Sequence, residues 1–262
     1  MLAGSRLAGL GSPDSSSMYD SLPSIDVSSL QERVYQSLRQ ALLTGHFQPG
    51  EPISIRKLAD SLGTSPMPVR EALKRLMAEK VLVQSSNRQI RVTPFDPKLH
   101  EEFVRIRMEI EGYAAERAAR IHDAGLVDRL REIDAGMVEA AGQSRTAAAL
   151  AANQAFHFEI YRAAGYPQLV DMIENLWLRT GPFLGTIGRT PVNLATFFGN
   201  GHHFHGRAMA AIAARDGRKA RRAIALDIRT GTMFLRKVYD PQGTARAVNG
   251  GPATPAAGPG SA

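Results

Sequence analysis

Four side chains in the C-terminal half, Asn153, His157, His205 and Asp227, are of the types that bind a divalent metal. Asn153 and His157 are one helical turn apart, so on a helix they share a face with Phe156, Ile160 and Tyr161. His205 is in line with Met209 and Ile212, and Asp227 lies between Ile224 and Ile228, in line with Ala220 and Gly231. Two imidazoles, a carboxylate and an amide oxygen can hold Zn²⁺, Ni²⁺ or Mn²⁺ and leave positions open for water or a ligand. A carboxylate facing an apolar interior is costly unless protonated or paired, so Asp227 asks for a cation. Taken singly, each histidine also reads as a core residue bonded to a backbone carbonyl. His202 and His203 read either as a solvated face or as additional ligands.

Charge recurs on a second inward stripe. Arg107 lies in line with Phe103, Ile110 and Ala114, with Glu111 one turn on. The two read either as a buried pair holding helices in register or as a site where Arg107 grips a carboxylate bidentately. Arg179, after Trp177, is a second anion candidate, and Tyr161 shares the face of His157.

The elements that must position these groups are helices. Leu99, Phe103, Ile106, Ile110 and Tyr113 step at three and four, which predicts a first helix with those residues inward. Further segments run over 126–138, 147–164, 169–184, 196–215 and 218–238, the last two separated by Asp216-Gly217. Helices joined by short polar turns predict an antiparallel bundle of six to seven helices over 96–240, with any site built from side chains on facing helices.

Residues 54–76, SIRKLADSLGTSPMPVREALKRL, predict a different unit. Ser54 can cap a helix whose apolar stripe is Ile55, Leu58, Ala59 and Leu62, and Gly63 supplies the left-handed residue that ends it. Ser65 is a second N-cap, Pro66 is tolerated in a first turn, and Val69, Leu73 and Leu76 form the next buried stripe. Arg70, Lys74 and Arg75 fall away from that stripe, as cations aimed at a major groove would. Val81 to Val83 and Ile90 to Val92 read as a hairpin around a polar tip, Ser85 to Arg88, which makes the unit a winged helix-turn-helix. Leu30, Val34, Leu38 and Leu42 add a helix ahead of it, closed by Gln48-Pro49-Gly50. Residues 27–95 carry ten Lys and Arg against five acids, a net +5 of the chain's formal +7. That concentration suits phosphate neutralisation with counterion release.

Composition excludes several classes. No cysteine among 262 residues leaves no disulfide framework and no thiolate chemistry, consistent with a reducing cytoplasm. No apolar run approaches the roughly 20 residues a membrane helix needs, and the N-terminus lacks an export pattern. Residues 1–26 and 241–262, rich in Gly and Pro with added Ser or Ala, are expected to be disordered tails. Pro94, Asp96 and Pro97 mark the boundary between the halves.

LTGHFQPGEPISIRKLADSLGTSPMPVREALKRL resembles the DNA-binding domain of the GntR family of bacterial transcription regulators through Pro49, Gly50, Leu58, Ala59, Gly63, Ser65 and the P-V-R-E-A-L run from Pro68 to Leu73. NQAFHFEIYRAAGYPQLV, HGRAMAAIAARDGRKARRAIALDI and RIRMEIEGYAAERAA resemble the FCD ligand-sensing domain of that family's FadR branch. The resemblance implies base and phosphate contacts from Arg56, Ser65, Met67, Pro68, Arg70, Lys74 and Arg88, with Arg56 compensating for Pro66 where the family often has Arg. The usual wing glycine is replaced near Gln89. It implies a metal at Asn153, His157, His205 and Asp227, where Asp227 stands in place of a third histidine, and a small organic acid held by Arg107, Tyr161 and Arg179.

The expected function is a homodimeric, operator-binding regulator of transcription, reading an inverted repeat of double-stranded DNA under control of a small carboxylate. A metal-dependent hydrolase or isomerase is the alternative from the same cluster. Against it stand the absence of an H-E-x-x-H helix, of a nucleophile beside a base, and of a carboxylate placed behind the ligands. A nucleoid-type protein indifferent to sequence leaves the lined bundle unexplained.

Overall fold

The computed structural model describes residues 27–121, 123–187 and 194–239, so the expected tails lie outside the described residues. The N-terminal unit comprises α1 (Val27–Leu43), β1 (Pro52–Ile53), α2 (Ile55–Ser61), α3 (Pro66–Ala78), β2 (Leu82–Gln84) and β3 (Ile90–Val92). The expected stripes form its core: Val34, Leu38 and Leu42 of α1 meet Val69, Leu73 and Leu76 of α3, all buried. Leu30, which begins the α1 stripe in the sequence, is 43% exposed. Ser54 caps α2 by accepting the Lys57 backbone N–H, and Gly63 has φ +61°, the left-handed turn between the two helices. Ser65 holds extended N-cap geometry, but its hydroxyl makes no capping bond.

The wing hairpin forms as expected, with a strand the sequence did not announce. β1 pairs antiparallel with β3, placing β3 in the middle of a three-stranded sheet ordered β1-β3-β2. At the tip, Arg88 itself takes the left-handed conformation at φ +62°, the conformation a wing glycine would supply.

The second half is the expected bundle: α4 (Pro97–Ile121), α5 (Leu126–Gly142), α6 (Thr146–Ala163), α7 (Pro167–Gly185), α8 (Leu194–Ala213) and α9 (Gly217–Tyr239). The inward face of α4 differs from the expected one. Ile106 and Tyr113 are 39% and 43% exposed, while Phe103, Arg107, Glu111, Ala114, Ala115, Ala118 and Ala119 are buried. Small residues let α9 lie close along α4, with Ala220 and Ala223 buried against the alanine row, so the bulky residues are the ones turned outward.

The two units touch where α1 ends on α7. A side chain on Gly181 would sit 2.7 Å from the Leu42 carbonyl oxygen and 2.8 Å from the Leu43 Cα, and Gly185 meets Gly45 backbone to backbone. Arg39 of α1 pairs with Glu174 of α7 at 2.9 Å across the same seam.

Candidate metal and effector site with its DNA-reading surface

His157, His205 and Asp227 converge from α6, α8 and α9, with one ligand atom of each within 4.8 Å of the others. His157 is 2% and His205 0% exposed. Asn153, a turn before His157 on α6, lines the same cavity as His157, Asp227, Arg107 and Thr180. Three of the four residues singled out in the sequence thus converge, and Asn153 lines the adjoining cavity.

The hydrogen-bond network fixes which nitrogens are free. His205 Nδ1 lies 2.7 Å from Asp134 Oδ1, so it carries the proton and donates it to that carboxylate. Its Nε2 is then a bare lone pair, buried and without a hydrogen-bond partner among the described residues. Tyr161 spends its single O–H on Glu111 Oε2 at 2.5 Å, so at 3.0 Å from His157 Nδ1 it can only accept. The proton on Nδ1 leaves His157 Nε2 bare as well, 3.0 Å from Asp227 Oδ2. A proton on His157 would satisfy that pair and still leave His205 Nε2 with nothing. A cation satisfies all three atoms, so the residues fit a divalent metal. Two imidazole nitrogens, a carboxylate oxygen and the Asn153 amide suit Zn²⁺, Ni²⁺ or Mn²⁺.

Asp134 was missed by sequence reasoning. It sits on the buried stripe of Leu126, Leu130 and Met137 in α5, and an acid on such a stripe was the available signal. Its Oδ2 also accepts from His202 Nδ1 at 2.6 Å, so His202 is a clamp on Asp134, while His203 is exposed. Burial raises the Asp134 carboxyl, but hydrogen bonds from His205 and then His202 outweigh it and hold it below the ordinary carboxylate range. Burial pushes His205 below the ordinary imidazole range against the pull of Asp134, which keeps its outer nitrogen unprotonated. A carboxylate behind a ligating histidine orients the ring and raises its basicity.

Arg107 forms the buried pair with Glu111 that the sequence allowed. Its Nε donates to Glu111 Oε1 at 2.6 Å, its Nη2 to Oε2 at 3.4 Å, and its Nη1 to Thr180 Oγ1 at 3.3 Å. Glu111 also accepts from Trp177 Nε1 at 3.0 Å, so one fully buried carboxylate ties α4 to α6 and α7. Burial depresses the Arg107 guanidinium, but the Glu111 charge more than restores it, and it stays a cation. A guanidinium carries more N–H donors than these three bonds use, leaving some for an anion in the cavity it lines. Tyr161 does not line that cavity, since its hydroxyl is spent between His157 and Glu111. Arg179 is also placed elsewhere: its guanidinium lies over Phe103 at 4.2 Å, beside the linker residues Pro94 and Asp96. The step of two residues from Trp177 turns it away from the indole face.

On the DNA-reading unit, Arg56, Ser65, Met67, Arg70 and Lys74 are exposed on α2 and α3, and Arg88 on the wing tip. Pro68 is a correction. It is buried on the core side of α3 beside Val69, because it falls on the stripe of Ala72, and so cannot reach a base. Arg75 is taken up inside the unit, with Glu32 at 2.8 Å and its guanidinium 3.6 Å from the Tyr35 ring centre. Lys74 pairs with Glu71 at 2.8 Å in the open.

Residues 30–92 match the family described as bacterial regulatory proteins, gntR family, and residues 102–230 match the FCD domain. The HTH-type transcriptional regulator McbR of Escherichia coli (strain K12) is 28% identical over 214 residues, spanning 81% of this chain and 95% of McbR. The solved structure of E. coli McbR/YncC superposes with a TM-score of 0.73 over 80% of this chain and 99% of that one. An uncharacterized HTH-type transcriptional regulator of Agrobacterium vitis is 31% identical over 126 residues, 47% of this chain and 74% of the relative. A putative transcriptional regulator GntR from Rhodococcus sp. RHA1, at 18% identity and TM-score 0.64 over 80% of this chain and 99% of its own, shares the fold. These families and relatives are regulators of transcription, not enzymes. A winged reader with outward cations, joined to a helical bundle that matches the FCD domain, makes this chain a member of the GntR family of transcriptional regulators, of the FadR type.

Proposed function

We propose that this regulator binds an operator as a homodimer and that a small organic acid, held at a metal in the bundle, controls that binding. The observation that carries the reading is the bare, buried Nε2 of His205, aimed with His157 and Asp227 at one point beside the cavity that Arg107 lines. Asn153, His157, His205 and Asp227 would hold the metal, which when bound supplies a Lewis-acidic contact for a carboxylate oxygen. Arg107 contributes fixed charge-assisted N–H donors to the same anion, and Glu111 and Thr180 hold the guanidinium still for that purpose. Arg56, Arg70 and Lys74 with the exposed Ser65 and Met67 form the groove-reading surface, and Arg88 reaches the backbone or minor groove from the wing. Two such readers bind half-sites of an inverted repeat.

Control requires that the acid bind the free and DNA-bound forms unequally. The test is elemental analysis of the purified protein, followed by fluorescence-anisotropy titration of an operator selected from random duplexes, with and without a panel of small carboxylates. The reading expects about one transition-metal ion per chain and an operator affinity that at least one acid shifts in the wild type but not in His205→Ala. Protein that binds no transition metal, or operator affinity unmoved by every acid, rejects it.

A further inference from the structure

His100 stands in the first turn of α4, three residues into the helix, and is 3% exposed. Neither ring nitrogen has a hydrogen-bond partner among the described residues. Burial, followed by the charges of Arg107 and Arg236, brings its pKa down to about 4, so the ring is neutral near neutral pH. A neutral imidazole has one N–H to give and one lone pair to fill, and leaving both bare in an interior is unfavourable. The ring is held in place by contacts that leave its nitrogens alone: Phe95 at 5.2 Å and Phe183 at 5.5 Å between centres. It lines the cavity that Arg107, Thr180, His157 and Asp227 also line, and lies two helical turns from Arg107 on the same helix. The cavity thus carries the Arg107 guanidinium and, two turns back along α4, an imidazole whose donor and acceptor both lack a hydrogen-bond partner among the described residues.

We propose that His100 is a second anchor for the effector, recognising a hydroxyl or second carboxylate at the far end of an acid whose first carboxylate is held at Arg107. The inference rests on the reading of the bundle as an organic-acid site and adds the substrate class: bifunctional acids rather than simple monocarboxylates. A ring that already packs on Phe95, in the linker from the wing to α4, also places ligand contact beside the joint between the two units.

Succinate and butyrate are four-carbon acids that differ at the far end, and they serve as the probes. Calorimetric titration of the full chain should show succinate bound at least tenfold more tightly than butyrate. His100→Phe, which keeps an aromatic ring and removes both nitrogens, should bring the two acids within about twofold of each other. Should that variant fail to fold, the imidazole ¹⁵N signals of His100 in the wild type report instead, shifting with succinate and staying put with butyrate. A wild type that binds both acids equally, a preference that survives His100→Phe, or imidazole signals indifferent to succinate overturns the inference and leaves the acid-site reading intact. Binding of neither acid, by a protein that Arg107→Ala does not alter toward any carboxylate, removes the acid-site reading and this inference with it.

Discussion

Asp134 shows how a single side chain can decide what a neighbouring histidine offers. By accepting the Nδ1 proton of His205 it leaves the opposite nitrogen as a bare, buried lone pair. Replacing it by Asn in Asp134→Asn keeps the shape and weakens the acceptor, so affinity for Zn²⁺ should drop about 10–100-fold in a competition titration with a chromophoric chelator. Unchanged affinity would mean that Asp134 does not orient the ligand. On the reading surface, Arg70→Ala should cost about 1–3 kcal/mol of operator affinity and relax sequence preference at one base pair, measured by anisotropy on variant operators. Lys74→Ala should instead weaken all duplexes alike and flatten the salt dependence. His100 gives a pH signature at this scale. Its folded pKa of about 4 lies below the ordinary 6.5, so its contribution to stability is present above pH 6.5 and is lost as pH falls from there toward 4. The loss amounts to about 3 kcal/mol over that window. Urea unfolding at pH 7 and pH 4.5 should show a smaller pH penalty in His100→Phe than in the wild type. Equal penalties in the two proteins would count against a buried neutral ring.

At the scale of elements, Glu111 is the point where three helices meet. Arg107 one turn back on α4, Tyr161 on α6 and Trp177 on α7 all donate to it, and it is fully buried. Glu111→Ala strands the Arg107 cation in an interior, which should destabilise the bundle by about 3–5 kcal/mol in urea unfolding. A loss below 1 kcal/mol would show that water or another acid takes over the role. Helix spacing made the Arg107–Glu111 pair legible in the sequence, because four residues on one helix always bring two side chains together. It could not show Tyr161 and Trp177 closing on the same carboxylate, since those contacts depend on how α6 and α7 are laid against α4. The outward turn of Ile106 and Tyr113 has the same origin. A pattern of large apolar residues marks a stripe, but the tight approach of α9 selects the alanine row as the inner one.

Across the whole molecule the reader and the bundle are joined by backbone contact as well as by the linker. Gly181 and Gly185 on α7 accept the end of α1 so closely that no side chain fits between them, and Arg39 and Glu174 pin the seam. Gly181→Leu should push the two units apart while each stays folded. Small-angle scattering would then show a larger radius of gyration at an unchanged far-UV circular dichroism signal. An unaltered scattering curve would mean that the seam yields without separating.

The sequence by itself determined the elements and the faces of most of them: the winged reader with its cations, six helices after Pro97, and three inward groups at His157, His205 and Asp227. These are local properties, fixed by turn residues, caps and the 3.6-residue period within a short stretch of chain. Only the tertiary structure decided the partners. Asp134 behind His205, Tyr161 as a relay in place of an effector contact, Arg179 over Phe103, Pro68 inside the core and β1 beside β3 all follow from segments distant in sequence being packed together. A side chain's neighbours on its own helix are set by covalent geometry, whereas its neighbours across the core are set by the free energy of the whole packing, which no short window of sequence contains.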